Sequence, residues 1–314
     1  MGLYDNLNNA NIENLSSLCS EQSILEERRL LELRELCGSF LSELDISPEE
    51  CDIYELLSLI SERELLFYDS PHGEALAENR SALESFSKQM SSLDKAMLCR
   101  MLISCLDDIG RRVGEADFFG DEPPEETFVY VKNSLADEAY EIFSAELADP
   151  RVYYCNSFKE AAELVTSGQA GYCLLPLEER GGRLRTVDQL IFSGDLKISG
   201  VSPVFGFDGL ADMKYAMISR YLTPPIYAQG DDRYLEIRVP QDSDLSIGEL
   251  IFSAESFGHS IYRIATVSLN TDDGERGFYS VVIRGGAADF THLLTYLTLF
   301  SEEFIPVGIY KNLE

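Results

Sequence analysis

Positive charge is scarce in this 314-residue chain, 25 Lys and Arg against 55 Asp and Glu, so a cluster of it is informative. The tightest lies in LEERGGRLR, where Arg180, Arg183 and Arg185 surround Gly181 and Gly182 just after Glu178 and Glu179. Glycines let a backbone approach a ligand closely, and guanidinium forks grip carboxylates and phosphates. This loop is therefore the candidate anion site, with a solvated turn as the alternative. Little else suggests chemistry. His72, His259 and His292 are far apart and lack metal-ligand spacing, so no metal is expected. His259, beside Gly258, reads as a helix C-terminal cap. P-loop, GxSxG and GxGxxG patterns are absent, and no cofactor is expected.

A formal net charge of −30 spreads along the chain and disfavours a phosphate backbone or an anionic lipid surface, so neither nucleic acid nor membrane is expected as a partner. No run of about 18 apolar residues suggests a membrane span, and MGLYDNLNNANIENL has neither the basic nor the apolar region of a signal peptide. A cytoplasmic location is the expectation. The 7 cysteines contain no CxxC pair and mostly have apolar neighbours, as reduced core thiols would.

The elements that must position these residues fall into blocks. Residues 1–115 show helical spacing of apolar residues, with runs over 24–44, 53–67 and 74–113, which predicts a small bundle. Residues 116–126 are acidic and contain Gly120, Pro123 and Pro124, as a linker would. From Thr127 the period alternates between strand and helix, and 127–226 reads as an α/β domain. Within it, 157–190 reads as helix, turn, buried strand and then a ligand-edge loop. Residues 231–314 read as strand, helix, strand, strand, helix, strand, with a hairpin turn at Thr271-Asp272-Asp273-Gly274. That is the ferredoxin-like βαββαβ order.

Several motifs carry a resemblance. The stretch SFKEAAELVTSGQAGYCLLPLEER resembles the first lobe of prephenate dehydratase, a periplasmic-binding-like α/β lobe, in which an SFxxA helix leads through a strand to an LPIENS substrate loop. The closing FIPVGIY is similar to the last strand of the ACT domain that follows that lobe in the family. IYELLSLISEREL resembles, more loosely, the helical chorismate mutase found at the N-terminus of bifunctional members. Together these imply three parts: a chorismate-mutase-like bundle, a truncated dehydratase-like domain and an ACT-like domain. The resemblance also implies site residues. Ser134, Glu178 and Lys214 join Arg180, Arg183 and Arg185 of the cationic loop as the substrate or anion candidates, with Arg63 and Arg80 the mutase-like cations and Gly248 and Glu249 the ACT ligand positions.

The departures matter as much. The family's Thr-Arg-Phe strand supplies an acid hydroxyl, but Met213, Lys214 and Tyr215 stand there, and Met213 has no proton to give. Lys214 keeps a charge without the planar fork of arginine. Asn and Ser of the substrate loop are Glu179 and Arg180, and a serine of another ligand loop is Ala136. Only a dozen residues separate Gly200 from Met213, where the family inserts a whole second lobe. The expectation is a catalytically degenerate relative with a binding, regulatory or structural role linked to aromatic amino-acid metabolism, taking a small anionic ligand or amino acid and dimerising through the ACT-like domain. The alternative is a divergent, active prephenate dehydratase of phenylalanine biosynthesis, with or without chorismate mutase activity.

Overall fold

The computed structural model describes residues 91–118, 125–145, 147–206, 213–222, 233–285, 289–301 and 303–311, with scattered helical positions between 24 and 38. Most of the expected N-terminal bundle, including Arg63 and Arg80, lies outside the described residues. The chain divides into two compact units, Met1–Val113 and Gly114–Glu314. In the first, α1 (Ser92–Asp108) starts where Ser91 Oγ accepts the Asp94 N–H at 3.2 Å, and it buries Ala96, Met97, Cys99, Leu102, Cys105 and Leu106. Among the described residues no helix is long and apolar enough to cross a membrane. The described cysteines are buried and not disulfide-bonded.

The second unit is built on one ten-stranded sheet. Its first half contains β1 (Thr127–Val131), α2 (Ser134–Ser144), β2 (Arg151–Cys155), α3 (Phe158–Thr166), β3 (Tyr172–Glu179), β4 (Gly182–Arg183), α4 (Arg185–Ser193), β5 (Lys197–Val204) and β6 (Met213–Ser219). The second half contains β7 (Arg233–Pro240), α5 (Ile247–Ser256), β8 (Ser260–Thr271), β9 (Gly274–Gly285), α6 (Thr291–Phe300) and β10 (Ile305–Lys311). The strand order is β2-β1-β3-β6-β5-β10-β7-β9-β8, with β4 on the end of β3.

Local rules explain the first half. Asn133 caps α2 by accepting the N–H groups of Leu135 and Ala136 at 3.0 and 2.9 Å, and Ser157 caps α3 by accepting that of Glu160 at 3.1 Å. Gly168, with φ +74°, ends α3 in the left-handed conformation. Strands β1, β2 and β3 are parallel, as two helical crossovers require, and β6 returns antiparallel between β3 and β5. Apolar residues fill both faces. Phe128, Tyr130, Ala139 and Phe143 pack on one, while Val129, Ala161, Val165, Val187 and Ile191 pack on the other.

In the second half β10, β7, β9 and β8 are mutually antiparallel neighbours in the βαββαβ order. Leu235, Ile237 and Val239 of β7 are fully buried, and so are Glu236 and Arg238 between them, at 0 and 1 % exposure. That second pair does not meet water: α4 covers it, with Asp188 bonded to Arg238, and α4 begins within 157–190, where the sequence predicts a ligand-edge loop after the strand. Val187 and Ile191 bury the helix, and Gln189 clamps Asn270 of β8, donating to its carbonyl at 3.0 Å and accepting its N–H at 2.7 Å.

The two halves also share strand pairing. Gly308 of β10 pairs with Ile198 of β5 in parallel, and a Cβ on Gly308 would lie 2.2 Å from the Ile198 carbonyl oxygen. Only glycine permits that approach. Glu115, in a 3₁₀ turn at Glu115–Phe118, pairs with Arg233 and accepts the Phe290 N–H at 3.1 Å. The residue just before the stretch that reads as a linker is thus anchored within the second unit.

Candidate functional site

Where the two halves meet, a cleft of about 450 Å³ opens, lined by Leu177, Glu178, Gly181, Arg183, Val201, Lys214, Tyr234, Tyr262, Arg263, Val282 and Tyr310. Its walls come from most of the sheet. Two pairs of consecutive residues, Leu177 with Glu178 and Tyr262 with Arg263, line it together, which a regular strand forbids because its side chains alternate. The register of β3 shifts between Pro176 and Glu178, and that of β8 between Ile261 and Arg263. Each irregularity re-aims a side chain, as β-bulges do. Pro176, which has no N–H for a ladder, lies beyond the residues paired with β1 and beside the first shift.

At the mouth, Arg263 Nη1 donates to Glu178 Oε1 at 2.6 Å, and Lys214 Nζ lies 3.8 Å from Glu178 Oε2. Glu178 is 6 % exposed, whereas the side chains of Lys214 and Arg263 are 36 and 31 % exposed. Beneath them Arg183 reaches Glu236 and lies 3.3 Å from Asp188, and Arg238 donates to Asp188 at 2.8 Å. Glu236 also accepts from the Tyr310 hydroxyl at 3.0 Å and from Ser280 at 3.2 Å. Burial pushes the Glu236 carboxyl up, but Arg183, Arg238 and the Tyr310 hydroxyl outweigh it and hold the group below the usual carboxylate range. Burial, then the Glu236 charge, raises Tyr310 well above an ordinary phenol. Nε and Nη1 of Arg183 and Nε of Arg238 have no hydrogen-bond partner.

Tyrosines form the apolar wall. Tyr234 meets Tyr262 edge to face with centroids 5.1 Å apart and stacks on Tyr310 at 6.1 Å. Tyr262 is 56 % exposed and is the ring most open to an incoming group.

Of the residues singled out from sequence, Glu178, Arg183 and Lys214 come together in this cleft. Arg180 has φ +49° at the turn between β3 and β4, and Arg185 pairs with Glu275; neither lines the cleft. Ser134 is exposed at the start of α2, and Gly248 and Glu249 lie in the first turn of α5, where Glu249 accepts from the Tyr296 hydroxyl at 2.8 Å. The cluster that reads as one cationic loop is therefore distributed, with Arg183 in a buried network and Arg185 in a surface pair. Sequence reasoning missed Arg263, Tyr234, Tyr262 and Tyr310. Tyr234, Glu236 and Arg238 do alternate along β7, but that pattern also describes a solvated face.

His259 caps α5 with its backbone rather than its ring. Its N–H reaches the Ala254 carbonyl at 2.9 Å past Gly258 at φ +83°. The ring is buried, 4.7 Å from that of Phe290, and neither nitrogen has a hydrogen-bond partner. Among the described residues no group of His, Cys, Asp and Glu is placed to hold a metal ion.

No protein-family model matches this sequence, and no curated protein does. Among solved structures, the chain is similar to prephenate dehydratase from Streptococcus mutans, with 14 % identity over 60 % of this chain and 99 % of that one and a TM-score of 0.46. It is similar to prephenate dehydratase from Arthrobacter aurescens in complex with L-Phe, with 15 % identity over 59 and 89 % of the two chains and a TM-score of 0.42. It is also similar to GqqA, described as a novel type of quorum quenching acylase, with 19 % identity over 60 and 95 % of the chains and a TM-score of 0.42.

Proposed function

We propose that this protein is a binding or regulatory relative of the prephenate dehydratases that has lost dehydratase chemistry, with an ACT-like C-terminal half. The observation that carries this reading is the direct antiparallel pairing of β5 with β6, from Lys197 opposite Ser219 to Val204 opposite Met213. Residues 205–212 are all that join them. A dehydratase of this family holds substrate between two lobes, and this connection leaves no room for the second. Two further features support it. Met213 stands where the family's threonine acid is expected, and both oxygens of Glu178 face cations, an arrangement that fixes a carboxylate in place rather than presenting a proton.

The same reading makes the protein a homodimer joined through β8. This edge strand is 12 residues long, exposes Tyr262 and Ile264, and has Arg263 as its one charged residue. Long apolar edges with so little charge invite pairing with a second copy.

A coupled assay of the purified chain with chorismate and with prephenate tests the loss of chemistry. The expected result is neither prephenate nor phenylpyruvate formation by folded protein. Turnover that disappears in Lys214→Ala would instead support the divergent active enzyme.

A further inference from the structure

We propose that the cleft between the two halves of the sheet binds an organic monocarboxylate with a flat apolar body, its carboxylate held by Lys214 and Arg263 and its ring against Tyr262 and Tyr234. The proposal takes from the functional reading only that ligand binding, not dehydration, is the use of this surface.

Size, charge and shape support it. A volume of about 450 Å³ lies within the range of roughly 300–1,000 Å³ typical of small-molecule sites. Lining or directly beneath the cleft, Arg183, Arg238, Arg263 and Lys214 face Glu178, Glu236 and Asp188, four cations against three carboxylates. An excess of one positive charge inside a chain of net charge −30 is a local well for one negative charge. A dicarboxylate would bring one anionic group too many, and the second would meet Glu178.

The donors are suitably disposed. Arg238 and Arg183 each reach buried carboxylates through one nitrogen and keep Nε of Arg238 and Nε and Nη1 of Arg183 out of solvent, which leaves the partly exposed pair at the mouth. Arg263 gives one nitrogen to Glu178 at 2.6 Å, and its guanidinium carries further donors. Lys214 stands 3.8 Å from Glu178, beyond direct hydrogen-bond reach, so its ammonium can turn to a ligand without breaking a short bond. Glu178 holds both in place until a ligand carboxylate arrives. The apolar floor of Leu177, Val201 and Val282 and the ring of Tyr262 then give the rest of the molecule a dry surface.

The halves contribute different parts. Glu178 and Lys214 come from β3 and β6, while Arg263, Tyr262 and Tyr234 come from β8 and β7. A bound molecule would therefore bridge both halves, and its binding would stabilise the unit against heat.

Isothermal titration of the full chain with 3-phenylpropanoate tests this. Saturable binding is expected, with a rise in melting temperature, together with binding roughly tenfold or more weaker in Arg263→Gln, as loss of a charge-assisted contact predicts. Tyr262→Ala, at a ring 56 % exposed, should also weaken it, while Arg185→Gln, outside the cleft, should not. Neutral 3-phenylpropan-1-ol and the dianion phenylsuccinate should bind worse than the monocarboxylate. No saturable binding by folded wild type at millimolar probe would overturn the proposal, as would equal binding of the alcohol or of the dianion. Affinity unchanged in both Arg263→Gln and Tyr262→Ala would overturn it too. Prephenate turnover would defeat the functional reading above while leaving this titration to stand or fall separately.

Discussion

Two buried residues illustrate what charge does inside this molecule. Glu236 is fully buried beside Arg183 and Arg238, and its removal would leave Arg183 with Asp188 alone and would take from Arg238 a charge that helps to hold it. Breaking such a network from one side typically costs about 3–5 kcal/mol, so Glu236→Gln should lower stability by that order in a urea melt. A change within about 0.5 kcal/mol, the scale of an inconspicuous surface substitution, would show that the network is not coupled to folding. His259 tests the opposite situation, a titratable ring with no partner. Burial holds its pKa below the usual value, with Asp289 opposing and His292 adding to the shift. The folded protein therefore resists protonating the ring, while the unfolded chain protonates it below about pH 6.5. Stability contributed by the neutral ring is complete above that pH and is lost as pH falls toward the folded pKa. Melts between about pH 7 and 5 should show a decline in wild type that is smaller in His259→Leu. Parallel curves for the two proteins would remove His259 as a cause.

Elements show where the sequence was legible. The ordering from β1 to β10 follows apolar periodicity and a few caps, because pitch and pleat are fixed by the local backbone. The periods of 3.6 and 2 then reveal themselves residue by residue. Two elements escaped, the two-residue β4 and the helix α4, both begun within the stretch that reads as a ligand-edge loop. Helix α4 has no side-chain cap at Leu184, and its first turn carries Arg185, so the anion-loop reading of LEERGGRLR extended over it. Its apolar spacing, Val187 with Leu190 and Ile191, was the available signal. Gly308 shows how much one junction depends on a missing side chain. An added Cβ would lie 2.2 Å from backbone that cannot swing aside, and overpacking of that kind costs about 1–3 kcal/mol. Gly308→Ala should lower the melting temperature and speed amide exchange at Ile198 and neighbouring β5 residues. Unaltered exchange there would mean that β10 and β5 are joined by something other than this contact.

Across the molecule, charge and edges set the expectations. With a net charge of −30, self-repulsion favours expansion, so added sodium chloride up to about 0.5 M should raise the melting temperature by screening it. A melting temperature independent of salt would imply that local ion pairs compensate the repulsion. If β8 pairs with its counterpart in a second copy, sedimentation should give a dimer at micromolar concentration, and Ile264→Lys, placing charge on that edge, should give a monomer. A monomeric wild type would exclude the dimer.

The sequence by itself determined the order and type of nearly all described elements of the second unit, the βαββαβ segment and the direct step from β5 to β6. Each of these is written in local periodicity, turn residues and the length of a connection. It also singled out Glu178, Arg183 and Lys214. Only the tertiary structure decided that β5 and β10 join two segments into one sheet, that α4 closes over the face bearing Glu236 and Arg238, and that bulges at Leu177 and Tyr262 turn adjacent residues into one cleft. The reason is physical. Whether a polar strand face meets water or a covering helix, and which edge finds which partner, depends on groups far apart in the chain. Their contacts have no signature in the residues on either side.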